Sequence, residues 1–399
     1  MKYIIFWVAV IGLSFVTQAL TLDEALQLAA EKSPELHAAQ AEAQAASADI
    51  NAVSVWANPE LGFDAEGIGG ETGGTSSAEY SLMLSQEFPT SGKIRNARAA
   101  GTYAAEAARI AIVQAGQDFE TTVRLAFIDV LTVQETLTVR AQQLGLAEEF
   151  LKAAQKRYEA GAVSELEVLR AEMMLETGRG EKLTTEKRLA TAKNTLAQLT
   201  GLPEIRGVEG DFFQALDLPD GKLLGEICPA LQRFQALEKK AEAEVALARS
   251  ARVPDVTLGA GTRYEEDGNI HSYLFSASIP LPLFNRGNAA ALAAGLRAEA
   301  VRFEQETARR NLETELREAL AKFELSSAEA ARFRTVILPK AERAVALIQE
   351  SYASGRYGWL ERVEVQQALT ENRMNAIEAQ SAALRAQAQL LKFYTENEL

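Results

Sequence analysis

The sequence carries itself twice. Pro34 and Pro59 recur 195 positions on as Pro229 and Pro254, and Gly92 recurs at the same spacing as Gly287. Tyr80 and Pro89 recur 193 positions on, as Tyr273 and Pro282. The segment Gln155, Tyr158, Gly161, Leu166 returns as Gln349, Tyr352, Gly355, Leu360, a spacing of 194. Solenoid repeats run at roughly 20–50 residues, so this is a duplicated half-molecule and not a stacked motif. Each copy reads as helix, two strands, then two long helices, an order few folds require.

Four segments alternate with period two, the spacing of a strand with unlike faces. In Pro59–Gly69, Leu61, Phe63 and Ala65 oppose Glu60, Gly62, Asp64 and Glu66. In Glu79–Phe88, Tyr80, Leu82, Leu84 and Phe88 oppose Glu79, Ser81, Ser85 and Glu87. In Asp255–Tyr264, Val256, Leu258, Ala260 and Tyr264 oppose Asp255, Thr257, Gly259, Gly261 and Arg263. In Ser272–Leu281, Tyr273, Phe275, Ala277, Ile279 and Leu281 oppose Ser272, Ser276 and Ser278. Each is about ten residues, the length of a tilted membrane-spanning strand. A soluble sheet with one buried face fits the alternation equally well, but nothing short remains in the chain to cover it. Four strands cannot close a barrel, and an edge open to lipid leaves backbone groups unpaired. A membrane location therefore requires several chains to pool their strands; three give twelve.

The N-terminus reads as a leader. Met1-Lys2 precedes an almost wholly apolar run from Ile4 to Val16, and Thr17-Gln18-Ala19 offers a cleavage site, so residues 1–19 are expected to be a signal peptide. The apolar run is shorter than the roughly 20 residues of a spanning helix. The rest divides into a first repeat, 20–200, a linker rich in Gly, Pro and Asp, 201–225, and a second repeat, 226–399. The net charge of −14 argues against nucleic acid as a partner.

Between Gly92 and Gly161 there is no proline, enough chain for roughly 100 Å of helix. Small and apolar residues recur in steps of three and four: Phe119, Val123, Ala126, Val130, Val133, Leu137, Leu144, Ala147, Leu151. The second copy repeats the phase through Leu312, Leu316, Ala319, Phe323, Ala330, Phe333, Ile337, Ala344 and Leu347. Such spacing marks helices wound on neighbours. Pro339 should bend the second long helix. Shorter partner helices are expected over Ser164–Leu199 and Trp359–Tyr394, and leading helices over Glu35–Val55 and Ala230–Arg252. A plain coiled-coil scaffold accounts for the helices and leaves the strands without a purpose.

Arg157-Tyr158-Glu159-Ala160-Gly161, followed by Ser164 and Glu167-Val168-Leu169, resembles the helix–turn–helix tip of TolC-like outer-membrane efflux channels. Ser351-Tyr352-Ala353-Ser354-Gly355, followed by Leu360 and Val363, resembles the second copy of that tip. Leu20-Thr21-Leu22-Asp23-Glu24-Ala25-Leu26, Ser33-Pro34-Glu35-Leu36 and Asn58-Pro59-Glu60-Leu61 resemble the family's start and first strand. Gln86-Glu87-Phe88, Gly92-Lys93 and Pro280-Leu281-Pro282-Leu283-Phe284-Asn285-Arg286-Gly287 look most like the cobalt–zinc–cadmium type. The resemblance implies a mainly α fold with a membrane β-barrel portion. A homotrimer would pool twelve strands in outer-membrane lipid and twelve helical strands in a periplasmic α-barrel. Its implied partners are a periplasmic adaptor and an inner-membrane efflux pump of the resistance-nodulation-division type. Channels of the same family for drugs or other small molecules remain an alternative. So does a periplasmic coiled-coil adaptor, although no compact lipoyl-like domain is visible.

No Ser/His/Asp arrangement, phosphate-binding loop or metal-ligand spacing occurs, so neither an enzyme nor a cofactor is expected. His37 and His271 lie on separate elements, and His37 reads as a helix-surface residue. The single Cys228 precedes Pro229 as Ser33 precedes Pro34, which marks it as structural. Glu361 and Glu364 are three apart and share a helix face. Glu167 stands at the matching place in the first copy. By resemblance these carboxylates line the periplasmic entrance, and a trimer turns each into a ring that attracts cations; an ordinary solvated helix face is the alternative. Tyr158, Gly161, Tyr352, Gly355 and Arg356 are the tip and gate candidates. Family members often carry a basic residue two positions after the tip glycine; here Tyr357 holds that place and Arg356 stands one earlier.

Overall fold

The computed structural model describes residues 19–69, 74–75, 77–216, 228–353 and 358–393. The leader therefore lies outside the described residues, apart from Ala19, as do Gly355, Arg356 and Tyr357. The described elements are α1 (Leu22–Lys32), α2 (Pro34–Val53), β1 (Glu60–Glu66), β2 (Glu79–Phe88), α3 (Lys93–Glu159) and α4 (Glu165–Thr200). Then come α5 (Pro229–Ser250), β3 (Val256–Glu265), β4 (Ile270–Ser278), α6 (Asn288–Arg332), a π-helical turn (Phe333–Ile337), α7 (Leu338–Ala353) and α8 (Trp359–Leu391). No helix among the described residues is long and apolar enough to cross a membrane.

By contact the chain forms two compact units, and each draws on both sequence halves. One comprises Pro34–Asp118, Asp220–Glu318 and Phe393–Leu399, and holds the sheet. Its strands are all antiparallel, in the order β1-β2-β3-β4. The register places every predicted apolar face on one side. Leu61, Leu84 and Ala260 line up across three strands, with Phe275 opposite Ala260 on the fourth. These side chains are exposed: Leu61 at 69%, Leu84 at 53% and Phe275 at 85%. Among the described residues none covers this face, whose exposure to water would be costly. The other face carries Glu60, Asp64, Glu66, Glu79, Glu87 and Glu265, with Arg263 bonded to Glu79 at 3.1 Å. Gly259 and Gly261 also lie there, paired with Ser85 and Met83 of β2. A Cβ on Gly261 would strike the Leu82 carbonyl, so only glycine permits the close approach of β2 and β3.

The other unit comprises Met1–Ser33, Phe119–Pro219 and Ala319–Lys392. Its largest core gathers Ala25 and Ala29 of α1, Val123, Phe127 and Val130 of α3, Leu196 of α4, and Ile377 and Leu384 of α8. The stretch after α4 also enters that core, through Ile205, Val208 and Phe212. Leu20 bridges Val208, and Gln134 clasps the Val208 backbone in both directions at 3.0 Å. The residues from 201 to 213 are thus packed, not merely connecting. Cys228 is buried just ahead of α5, and His37 is exposed.

The predicted seam of the first long helix is borne out: Val123, Ala126, Val130 and Ala147 are buried. The second copy departs from expectation beyond Pro339. Ala344 and Leu347 are exposed, and Val345 and Ile348 are buried instead. The cause is the π-helical turn just before Leu338-Pro339. A π turn accommodates one extra residue, and in an α-helix one residue is about 100° of rotation. Proline lacks the backbone donor and clashes with the turn before it. The helix meets that conflict with a wider turn, and its buried stripe moves on by one position.

Candidate functional site

The hairpin between α3 and α4 is built by its backbone. Gly161 has φ of 69°, Gly161 N–H donates to the Tyr158 carbonyl at 2.9 Å, and Ala162 N–H donates to the Arg157 carbonyl at 2.8 Å. This pair of bonds closes a helix in the Schellman manner, with glycine at the left-handed position. Ser164 then stands at the N-cap of α4 in extended conformation, and Glu167 is the third helical residue. In the second copy Gly358 is the N-cap of α8 and Glu361 is again the third helical residue. Glu167 and Glu361 therefore hold the same place in the two copies, where a helix N-terminus favours negative charge. The Glu361 carboxylate folds back over Gly358: a Cβ added there would lie 2.8 Å from Glu361 Oε2. Glu364 follows one turn later.

All three predicted carboxylates line one groove of about 1160 Å³. Its walls come from α3, α4 and α8. Glu371, Arg140, Arg157 and Arg170 line it too, as do Met173, Met174 and Met374. Arg140 is engaged by Glu181 at 2.7 Å and by Gln143 at 2.8 Å. Arg157 Nη1 is buried without a hydrogen-bond partner. The groove is thus acid-rich and mixed in sign, with Glu167, Glu361, Glu364 and Glu371 set against Arg157 and Arg170. Glu361 and Glu364 are exposed and Glu167 half-buried. No group of three or more His, Cys, Asp or Glu with metal-binding geometry occurs among the described residues.

One wall is stiffened by aromatic packing. Phe150 of α3 meets Trp359 of α8 edge-on at 4.8 Å. The Arg362 guanidinium lies 5.5 Å from the Phe150 ring and 5.2 Å from the Tyr352 ring. Cations over aromatic faces gain electrostatic stabilisation. Tyr352 is thereby placed as a packing residue of α7, whereas Tyr158 is 48% exposed. Arg373 ties α8 to its neighbours, donating to Gln142 at 3.0 Å and Glu342 at 3.2 Å. Sequence reasoning missed the arginines of the groove. Arg157 was in view only as part of a motif, and Arg362 beside Glu361 gives no signal until the Phe150 and Tyr352 rings are brought together.

The outer membrane efflux protein family matches residues 25–202 and 226–394. Among similar proteins is a cobalt-zinc-cadmium resistance protein of Cupriavidus metallidurans, 26% identical over 360 residues, covering 89% of this chain and 85% of that one. A nickel-cobalt-cadmium resistance protein of Alcaligenes xylosoxydans xylosoxydans is 26% identical over 297 residues, 72% of this chain and 68% of that one. An antibiotic efflux pump outer membrane protein of Pseudomonas putida is 31% identical over 164 residues, 36% of this chain and 34% of that one. The fold is shared with CusC, at a TM-score of 0.78, 19% identity and coverage of 93% and 91%. It is shared also with the open state of the Neisseria gonorrhoeae MtrE channel, at a TM-score of 0.75, 20% identity and coverage of 93% and 88%. The chain belongs to the outer membrane efflux protein family.

Proposed function

We propose that this outer-membrane protein is the outlet of a three-part pump for heavy-metal cations. It acts as a homotrimer with a periplasmic adaptor and an inner-membrane pump of the resistance-nodulation-division type. One observation carries the substrate class. The relatives named for cobalt, zinc, cadmium or nickel resistance match over 89% and 72% of the chain, against 67% for a pyoverdine export relative and 36% for the antibiotic-pump relative. The groove supports a cationic cargo, because Glu167, Glu361 and Glu364 converge there. Carboxylates in a narrow low-dielectric mouth attract cations more strongly than the same groups in open solvent. The trimer is supported by the sheet, whose four strands, among the described residues, have an uncovered apolar face and two unpaired edges. The chain acts as a conduit and not as an enzyme.

The test is complementation. A strain lacking its own metal outlet, supplied with the cognate adaptor and pump, should regain tolerance to cobalt, zinc and cadmium when this chain is expressed. Tolerance to antibiotics with no change for the metals would overturn the assignment of cargo.

A further inference from the structure

Where the strands meet the helices, the chain reverses its charge. Over the whole sequence Asp and Glu outnumber Lys and Arg, 55 to 41. The three joining segments, 89–98, 249–255 and 279–288, hold six basic residues and a single acid, Asp255. Asp255 is already taken by Lys93, at 2.7 Å. The other five, Arg95, Arg98, Arg249, Arg252 and Arg286, are all exposed, and none has an ion-pair partner among the described residues. Further along α6 the pattern differs: Arg302, Arg309, Arg310 and Arg317 all reach glutamates. The joining segments form one collar. A Cβ on Gly101 of α3 would meet Ile50 and Val53 of α2 at 3.5 Å, and Asn96 donates to the Ala246 carbonyl of α5 at 3.3 Å. A Cβ on Gly287 would lie 2.9 Å from Arg252 Cγ.

Two of these arginines stand where their own helix disfavours them. Arg95 and Arg98 occupy the opening turns of α3, which has no acidic residue in its first turn. A helix N-terminus already carries partial positive charge, and like charges three apart repel on one face. Arg249 lies in the last turn of α5, an ordinary place for a cation, but Arg252 follows three residues on. An anion from outside the chain relieves the repulsion at both places. Exposed apolar side chains lie in the same collar. Trp56 meets Phe88 edge-on at 5.4 Å, at the last residue of the apolar face of β2. Val253, Leu281, Leu283 and Phe284 are exposed, Phe284 fully so. Tryptophan rings favour the level of lipid headgroups, and arginines lay their stems along apolar surface while the guanidinium reaches polar surroundings.

We infer that this collar binds anionic phospholipid of the leaflet facing the periplasm. Its guanidiniums take the headgroup phosphates, while Trp56, Leu281 and Phe284 sit among the upper acyl chains. Arginine suits phosphate because its planar fork donates two parallel bonds, and basic clusters at a membrane surface select anionic lipid. The chain is an outer-membrane protein whose helices extend into the periplasm, so the helix end of the sheet meets the inner leaflet. Free phosphate satisfies the arginines but leaves the apolar side chains in water; a lipid satisfies both. The opposite end of the sheet has the opposite sign. Glu66, Glu79 and Glu265 stand side by side across three strands, with Glu266 and Asp267 in the turn that follows. Arg263 is the only lysine or arginine in the four strands and their two hairpin turns. The collar's charge is thus confined to one end. The inference rests on the sheet's lying in the outer membrane, and not on the cargo or the pump.

The experiment is fluorescence quenching by brominated lipid. Trp359→Phe leaves Trp56 as the sole tryptophan of residues 20–399, so the reporter sits in the collar. The protein is folded into vesicles that mix brominated phosphatidylglycerol with plain phosphatidylcholine, and into vesicles with the bromine on the other lipid. Quenching across the two series gives the relative binding of the two lipids. The expected result at low salt is a several-fold preference for phosphatidylglycerol, falling toward equality at high salt as screening grows. Arg95→Gln with Arg98→Gln, and separately Arg249→Gln with Arg252→Gln and Arg286→Gln, should each lower the preference; the same sets changed to lysine should keep most of it. Equal binding of the two lipids by the parent at low salt would overturn the inference, as would a preference that ignores both salt and the glutamine sets. Should a glutamine set fail to fold, the salt series on the parent decides. A Trp56 quenched by neither lipid would place the collar away from the membrane and overturn the inference, leaving the assignment of cargo untouched.

Discussion

Replacing Leu84 with arginine should cripple the barrel, and replacing its neighbour Ser85 with arginine should not. Leu84 is the sixth residue of the ten in β2, between Leu61 and Ala260 on the apolar face and 53% exposed. At about 3.4 Å per residue the strand is roughly 34 Å long, and a tilt of about 40° makes that about 26 Å along the membrane normal. Leu84 therefore sits near the midplane of an apolar band about 25 Å tall, where an arginine facing lipid costs about 2–4 kcal/mol. Three copies raise the cost to about 6–12 kcal/mol per trimer. Ser85 points to the opposite face, between Glu60 and Gly259. An arginine there has a carboxylate within reach, so the expected change is within about 1 kcal/mol. The assay is urea unfolding of protein folded into lipid vesicles, followed by tryptophan fluorescence and by heat-dependent gel mobility. Leu84→Ala serves as the control for lost volume. If Leu84→Arg and Ser85→Arg shift the midpoint equally, the exposed apolar face does not meet lipid.

Replacing Glu361 and Glu364 together with glutamine should leave the trimer intact, since both side chains are exposed, and should lower cation over anion selectivity; the reversal potential in a salt gradient across a planar bilayer reads this directly. Gly161→Ala should cost about 1 kcal/mol, seen as a lower urea midpoint, because φ is 69° and no atom lies within 4 Å of the added methyl, leaving backbone strain as the sole penalty. Burial raises the Asp129 carboxyl above its ordinary 3.8, outweighing the pull of Arg385 at 2.7 Å. The folded state then holds that proton more tightly than the unfolded chain, so the contribution is full below about pH 3.8 and is lost as pH rises through the shifted value. Asp129→Asn should flatten the fall in stability as pH rises above about 3.8, a small effect because the side chain is 47% exposed.

The strands were legible because their signal is local. A period of two assigns every residue to a face, and the observed register keeps Leu61, Leu84 and Ala260 together without exception. The positions of Glu167 and Glu361 were legible because the repeat aligns them. The groove's sign was not, since Arg140, Arg157 and Arg170 reach it from two helices whose spacing in the sequence says nothing of their approach. Helix phase was legible only while the helix stayed regular. Counting in threes and fours carried Ala344 and Leu347 onto the seam, because a π turn leaves no mark of its own beyond the nearby Pro339.

That extra residue has a consequence at the far end of the helix. Val345, Ile348 and Tyr352 follow one another at steps of three and four, so they form one stripe on α7. Val345 and Ile348 are buried, and the Tyr352 ring is 5.2 Å from the Arg362 guanidinium. An unbroken α-helix would have put Ala344 and Leu347 on that side and turned Tyr352 away from α8 by about 100°. Arg362 would then keep Phe150 on one side and lose the ring on the other. Arg362 is flanked in α8 by Glu361 and, two residues on, by Glu364, both of which line the groove. Holding the guanidinium between two rings keeps it directed into the packing between helices and leaves the neighbouring carboxylates facing the opening. The placement of the acidic groups thus depends on a proline some twenty residues earlier in the chain, through the phase of the helix that connects them.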